Sequence, residues 1–202
     1  MPEMGNRDYY LVIDKSGSMT EKDTPTGVSR WDYCQESTKA IANLIQQYDP
    51  DGPSVVFFAA QPKMYPNVTA DRVSALFKEN SPMGGTNLAP ALNAVFTDYL
   101  DNKKNGKAKA NGALAIVVTD GQPNDENDAA KAIEQFTQKL DNGDDEFGIS
   151  ILQVGRDASA TAYLRKLDDS LKGAKFDIVD AKTIDEIESI GLEEAIKAAL
   201  VD

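Results

Sequence analysis

The sequence predicts an α/β fold: a doubly wound, mostly parallel central sheet with helices on both faces and one short antiparallel edge strand. Three observations lead there. Short apolar runs alternate along the chain with longer segments of helical periodicity. The clearest run, residues 113–119, is apolar without alternation, as in a strand buried on both faces. The stretch 64–68 contains Pro66 and follows Pro62, which an edge strand tolerates and a central one does not.

Taken in order, residues 9–13 read as the first strand, an apolar run leading into Asp14. In 31–48, Trp31, Cys34, Ile41, Leu44, Ile45 and Tyr48 recur at helical spacing until Pro50 and Gly52 end the segment. Residues 55–60 form the second strand and 64–68 the edge strand. Val73, Leu76 and Phe77 indicate a short helix, and Leu88, Leu92, Val95, Phe96 and Tyr99 a longer one over 88–100. After the strand 113–119, a helix over 129–140 is preceded by Asp125, Glu126 and Asp128, which suit the positive end of its macrodipole. A strand over 147–154, a helix over 158–171, a strand over 176–179 and a final helix over 184–200 complete the pattern. No repeat or low-complexity tract interrupts it, so residues 1–202 are expected to form one domain, with 1–7 as an N-terminal tail.

The composition narrows the function. Thirty-three Asp and Glu against 21 Lys and Arg give a net charge of -12, which argues against a nucleic-acid surface and favours solubility and cations. The chain has no histidine. That removes Ser-His-Asp and Cys-His nucleophiles and every His-ligated zinc or iron site. The single cysteine, Cys34, excludes an internal disulfide. It shares a helical face with Trp31 and Ile41 and reads as a buried structural thiol. Residues 1–7 carry no apolar stretch of a signal peptide, and no segment approaches the ~20 apolar residues of a membrane span. The expected location is cytoplasmic, with no membrane partner.

Three loops gather small oxygen-bearing side chains: Asp14-Lys15-Ser16-Gly17-Ser18 after the first strand, Gly84-Gly85-Thr86 between two helices, and Thr119-Asp120-Gly121 at the end of the clearest strand. Hard cations prefer oxygen donors, and the glycines permit tight backbone. Open α/β sheets place their ligands at the carboxyl ends of strands, where two of these loops lie. The acidic stretches 124–128 and 141–146 lack EF-hand spacing and read as a helix start and a turn. Neither a dinucleotide fingerprint nor a Walker sequence is present.

These three segments together resemble the metal-ion-dependent adhesion site of von Willebrand factor type A domains, in particular the stand-alone bacterial members, and the strand and helix pattern resembles that Rossmann-like fold over nearly the whole chain. The resemblance implies a divalent cation, Mg2+ with Mn2+ or Ca2+ as alternatives, bound by Asp14, Ser16, Ser18, Thr86 and Asp120. Hydroxyl oxygens would come from Ser16, Ser18 and Thr86, and the two aspartates would bind directly or through water. One departure is Lys15, at a position where a small or uncharged residue is common in the family. The implied function is a non-enzymatic, cation-dependent protein-binding module, an adaptor or assembly factor that coordinates an Asp or Glu of its partner. Some relatives work beside AAA+ ATPases, which makes such an ATPase a candidate partner. The alternative is a metal-dependent hydrolase or phosphatase using the same ion as Lewis acid. Against it, the position two residues after Asp14, where an aspartate acid/base is wanted, is Ser16. A third reading is a structural subunit whose metal serves stability alone. The polar stretch 19–30 is either a rim loop that selects partners or a solvated connection, and Trp31 either a core residue or an exposed anchor.

Overall fold

The computed structural model describes residues 5–121, 123–191, 194, 195 and 198. Strands β1 (Asp8–Asp14), β2 (Ser54–Phe58), β3 (Lys63–Tyr65), β4 (Ala113–Thr119), β5 (Phe147–Gln153) and β6 (Val179–Lys182) form a six-stranded sheet in the order β3-β2-β1-β4-β5-β6. Every neighbouring pair is parallel except β2 with β3. Around it lie α1 (Arg30–Gln46), α2 (Ala70–Glu79), α3 (Leu88–Lys104), α4 (Glu126–Thr137), α5 (Ala158–Asp169) and α6 (Ile184–Ile190).

The central strands are largely apolar along both faces because helices cover both. Successive side chains alternate across the sheet. Tyr10, Val12, Ala115, Val117, Ile149 and Ile151 face a core built with α3, α4 and α5. Leu11, Ile13, Leu114, Ile116 and Val118 face a second core built with α1 and α2, to which Ile187 of α6 also belongs. In the first core the Phe96 and Phe136 rings stack at 3.9 Å, and Phe147 meets Phe136 edge-on at 4.8 Å. Burying such rings removes large apolar areas from water, worth about 1.5–3 kcal/mol for each full side chain.

The middle of β5 contains one polar exception. Ser150 Oγ is buried and, among the described residues, lacks a hydrogen-bond partner. An orphaned buried hydroxyl costs about 1–3 kcal/mol. Ser150→Ala is therefore expected to raise stability by about 1 kcal/mol, read as a higher urea midpoint with an unchanged slope. A midpoint at or below that of the parent would mean that the hydroxyl finds a partner in solution.

Several boundaries differ from the sequence expectation: α3, for example, runs on to Lys104 and β2 stops at Phe58. The edge strand spans three residues and stops before Pro66. Helix α4 runs from Glu126 to Thr137, so Glu126 and Asp128 lie in its first turn and only Asp125, its N-cap, precedes it. Pairing of the last strand begins at Val179, opposite Ile149, and not at residue 176. Phe176 packs against the first core instead. The final helix starts at Ile184 under a capping box in which Thr183 and Glu186 each accept a backbone N–H of the other. It ends at Ile190, before Gly191 with φ 85°. Most of the expected continuation to residue 200 lies outside the described residues. No described helix is long and apolar enough to cross a membrane.

Candidate metal centre

The strand order fixes where a ligand can sit. From β1 the chain passes into α1, on one face of the sheet, and from the neighbouring β4 into α4, on the other. The two connections diverge and leave a crevice above the carboxyl ends of β1 and β4, the topological switch point of such sheets. Asp14 is the last residue of β1, and Asp120 directly follows β4.

Backbone hydrogen bonds bind the three loops into one unit. Met83 N donates to Lys15 O at 2.7 Å, Gly17 N to Gly84 O at 3.1 Å, and Asn124 N to Thr86 O at 2.8 Å. Two glycines suit this frame, one by its backbone conformation and one by the space it leaves for Asn124. Gly84 has φ 83°, in the left-handed region. A Cβ at Gly85 would stand 2.5 Å from Asn124 Nδ2.

Within this frame four of the five expected residues form a continuous polar cluster. Ser16 N donates to Asp14 Oδ1 at 2.7 Å. Ser16 Oγ and Ser18 Oγ lie 3.1 Å apart, and Ser18 Oγ donates to Asp120 Oδ1 at 3.1 Å. Asp14, Ser16 and Asp120 are buried, whereas Ser18 is open to solvent. Thr86 is buried in the loop stitched to the others. Among the described residues no hydrogen bond joins its hydroxyl to the other four. Thr119, which the sequence reading placed in the loop without a role, donates from Oγ1 to Asp14 Oδ2 at 2.7 Å.

The donor set suits a hard divalent cation. All of it is oxygen, and its two buried carboxylates would together balance a double charge. Among the described residues no group of three or more Asp, Glu, Cys or His side chains is placed to hold a metal, so any ion here depends on hydroxyl or water oxygens as well. Burial, and next the charge of Asp120, push the Asp14 carboxyl up to about 6; the hydrogen bonds from Ser16 and Thr119 pull the other way.

A pH dependence follows. Below pH ~4 both folded and unfolded chains hold the Asp14 proton. Between pH ~4 and ~6 the unfolded carboxyl ionises first, so the folded state binds more protons and stability falls as pH rises, by about 3 kcal/mol in total. The metal-free parent should therefore lose stability from pH 5 to 7 relative to Asp14→Asn. Thermal melts of both variants measure this, and parallel pH profiles would show that Asp14 ionises normally.

Arg30 is the feature that sequence reasoning missed. It opens α1, where the helix dipole disfavours a cation, and yet it is buried. Its Nη1 donates to Asp120 Oδ2 at 2.8 Å, and its Nε and Nη2 clamp Asp23 at 2.7 and 2.6 Å. A lone arginine at a helix start after the acidic stretch Glu21–Asp23 was the available signal. The stretch 19–30 is thus anchored at several points, with Met19 fully buried and Arg30 N bonded to Glu21 O.

The remaining expectations resolve simply. Trp31 is half-buried and packs against the second core, 4.5 Å from the Phe77 ring and 5.9 Å from that of Phe57. Cys34 is fully buried, and burial raises its thiol pKa far above the reactive range. Asp125 caps α3, accepting from Leu88 N and Ala89 N. Glu146 accepts from Asp141 N, Asn142 N and Lys103 Nζ, closing its turn.

A doubly wound sheet with an oxygen-lined crevice at its switch point defines a Rossmann-like ligand-binding domain. Within that class, the von Willebrand factor type A domain family matches residues 9–123, more than half of the chain and the whole segment carrying the five candidate residues. The chain belongs to this family, whose members are typically metal-dependent adhesion or protein-binding modules. It is 25% identical to mouse Complement C2 over 206 residues, which covers 91% of this chain and 26% of that protein. It therefore spans about a quarter of the length of that relative. Its fold is similar to that of a mutant PilB minor pilin from Streptococcus sanguinis, with TM-score 0.70 and 12% identity over 98% of this chain and 62% of that one. It is also similar to the manganese-loaded TRAP protein of Plasmodium vivax, with TM-score 0.66 and 17% identity over 98% of this chain and 74% of that one.

Proposed function

We propose that this chain is a divalent-cation-dependent protein-binding module, an adaptor or assembly factor without enzymatic activity. Its Asp14, Ser16, Ser18, Thr86 and Asp120 hold Mg2+, or Mn2+ or Ca2+ in its place, and the ion receives an Asp or Glu oxygen from the partner. The observation that carries this reading is the polar cluster running from Asp14 through Ser16 and Ser18 to Asp120 across the crevice of a von Willebrand factor type A fold. Two carboxylates only balance a divalent charge, and the other donors are neutral. The ion stays electrophilic and has use for a further anionic oxygen, which a cage of four carboxylates would not. An AAA+ ATPase is a candidate partner by resemblance to other family members, and a cytoplasmic setting fits that role.

Against catalysis stand the lack of any histidine base and the presence of Ser16 where a hydrolase would want an aspartate. The test is calorimetric titration of Mg2+ into the metal-stripped protein, followed by thermal melts with and without the ion. A saturable single-site isotherm and a raised melting temperature are expected. No heat and no shift at millimolar Mg2+ would sink the reading.

A further inference from the structure

The guanidinium of Arg30 lies between two sets of anions. On one side Nη1 meets Asp120 Oδ2 at 2.8 Å; on the other Nε and Nη2 clamp Asp23, and Nη2 stands 3.1 Å from Glu21. Space for it is made by Gly155, just beyond β5, where φ is 82° and a Cβ would lie 2.6 Å from Arg30 Nε. Arg156 Nη1 adds a hydrogen bond to Asp23 O at 3.3 Å, which fixes the acidic loop from a second side. Asp120 is thereby divided. Its Oδ1 belongs to the serine cluster and its Oδ2 to Arg30.

We propose that Arg30 is a built-in counter-ion of the cation site, a fixed positive charge shared between Asp120 and the acidic loop, so that Glu21 and Asp23 set how tightly the ion is held. The proposal rests on the reading of Asp120 as a cation ligand. A guanidinium paired with Asp120 repels a neighbouring cation and withdraws charge from its carboxylate. The site then holds its ion less tightly and leaves it more electrophilic toward an incoming anion. Asp23 and Glu21 offset part of that positive charge. A partner with a basic residue that drew them away would leave the whole charge facing Asp120 and loosen the ion. The loop thus links partner contact at the rim to affinity in the crevice.

Charge and positioning predict different signs. If Arg30 acts as counter-ion, Arg30→Met tightens Mg2+ binding about fivefold, Asp23→Asn weakens it about threefold, and Arg30→Lys stays within about twofold of the parent. If Arg30 merely holds Asp120 in place through its forked geometry, all three variants weaken binding. Mg2+ titration calorimetry on each, with circular-dichroism melts to verify folding, separates the cases. Arg30→Lys keeps the charge and loses the fork, so it decides the matter even if Arg30→Met does not fold. Parent protein that takes up no Mg2+ overturns the proposed function itself. Parent that binds Mg2+, with Arg30→Lys more than about twofold weaker, Asp23→Asn at or above parental affinity, or folded Arg30→Met below it, overturns the counter-ion role alone.

Discussion

Asp120→Ala is expected to abolish Mg2+ binding and to destabilise the metal-free protein by about 3–5 kcal/mol. The first effect follows from position: Asp120 supplies one of two carboxylates at the switch point and receives the hydroxyl of Ser18. The second follows from Arg30. Sequence alone suggests a residue at the ligand edge whose loss spares the fold, but the structure buries Asp120 against a guanidinium. Removing Asp120 takes away the one fully buried anion of Arg30 and leaves only the more exposed Asp23 and Glu21 to offset its charge. Asp120→Asn separates the two effects. Its amide oxygen still accepts a hydrogen bond from Arg30, so the melting temperature should fall less, while Mg2+ affinity should drop at least about tenfold with the lost charge. Parental Mg2+ affinity in Asp120→Asn would remove the residue from the site.

Once a partner is identified, its capture should depend on one exposed Asp or Glu and should be lost in excess EDTA. The ordering of charges gives the reason. Asp14 and Asp120 neutralise the ion, and the hydroxyls add only dipoles, so an anionic oxygen completes the coordination. Replacing the bridging carboxylate by its amide should cost about 3 kcal/mol, roughly a hundredfold in Kd. The net charge of -12 acts in the opposite direction at long range. Association should therefore accelerate with added salt if the partner is acidic overall, and slow if it is basic. Amide scanning of the partner in Mg2+ and in EDTA provides the measurement. If every amide variant binds like the parent, or if EDTA changes nothing, carboxylate bridging is wrong.

Much of the fold was legible because β1, β2, β4 and β5 are buried on both faces and so appear as continuous apolar runs. The expected β4, residues 113–119, matches the observed strand at both ends. Edge strands give a weaker signal. In β6 only alternate residues are buried, so the stronger apolar appearance of Phe176 and Ile178 drew the expected strand three residues too early. The acidic start of α4 shows a related limit: charge suits a helix N-terminus both as first turn and as flank, and the sequence does not distinguish them.

By itself the sequence determined the order of strands and helices, the apolar strand ends and the three oxygen-bearing segments, because each depends on residues close together in the chain. The tertiary structure decided what those segments meet. Arg30 and Asp120 are separated by 90 positions, and Asp125 caps a helix that starts 37 positions earlier. Nothing local in either residue announces such a contact. Periodicity and turn chemistry act over a few residues, whereas pairing of buried charges depends on which strands become neighbours, and that is settled only when β4 docks beside β1.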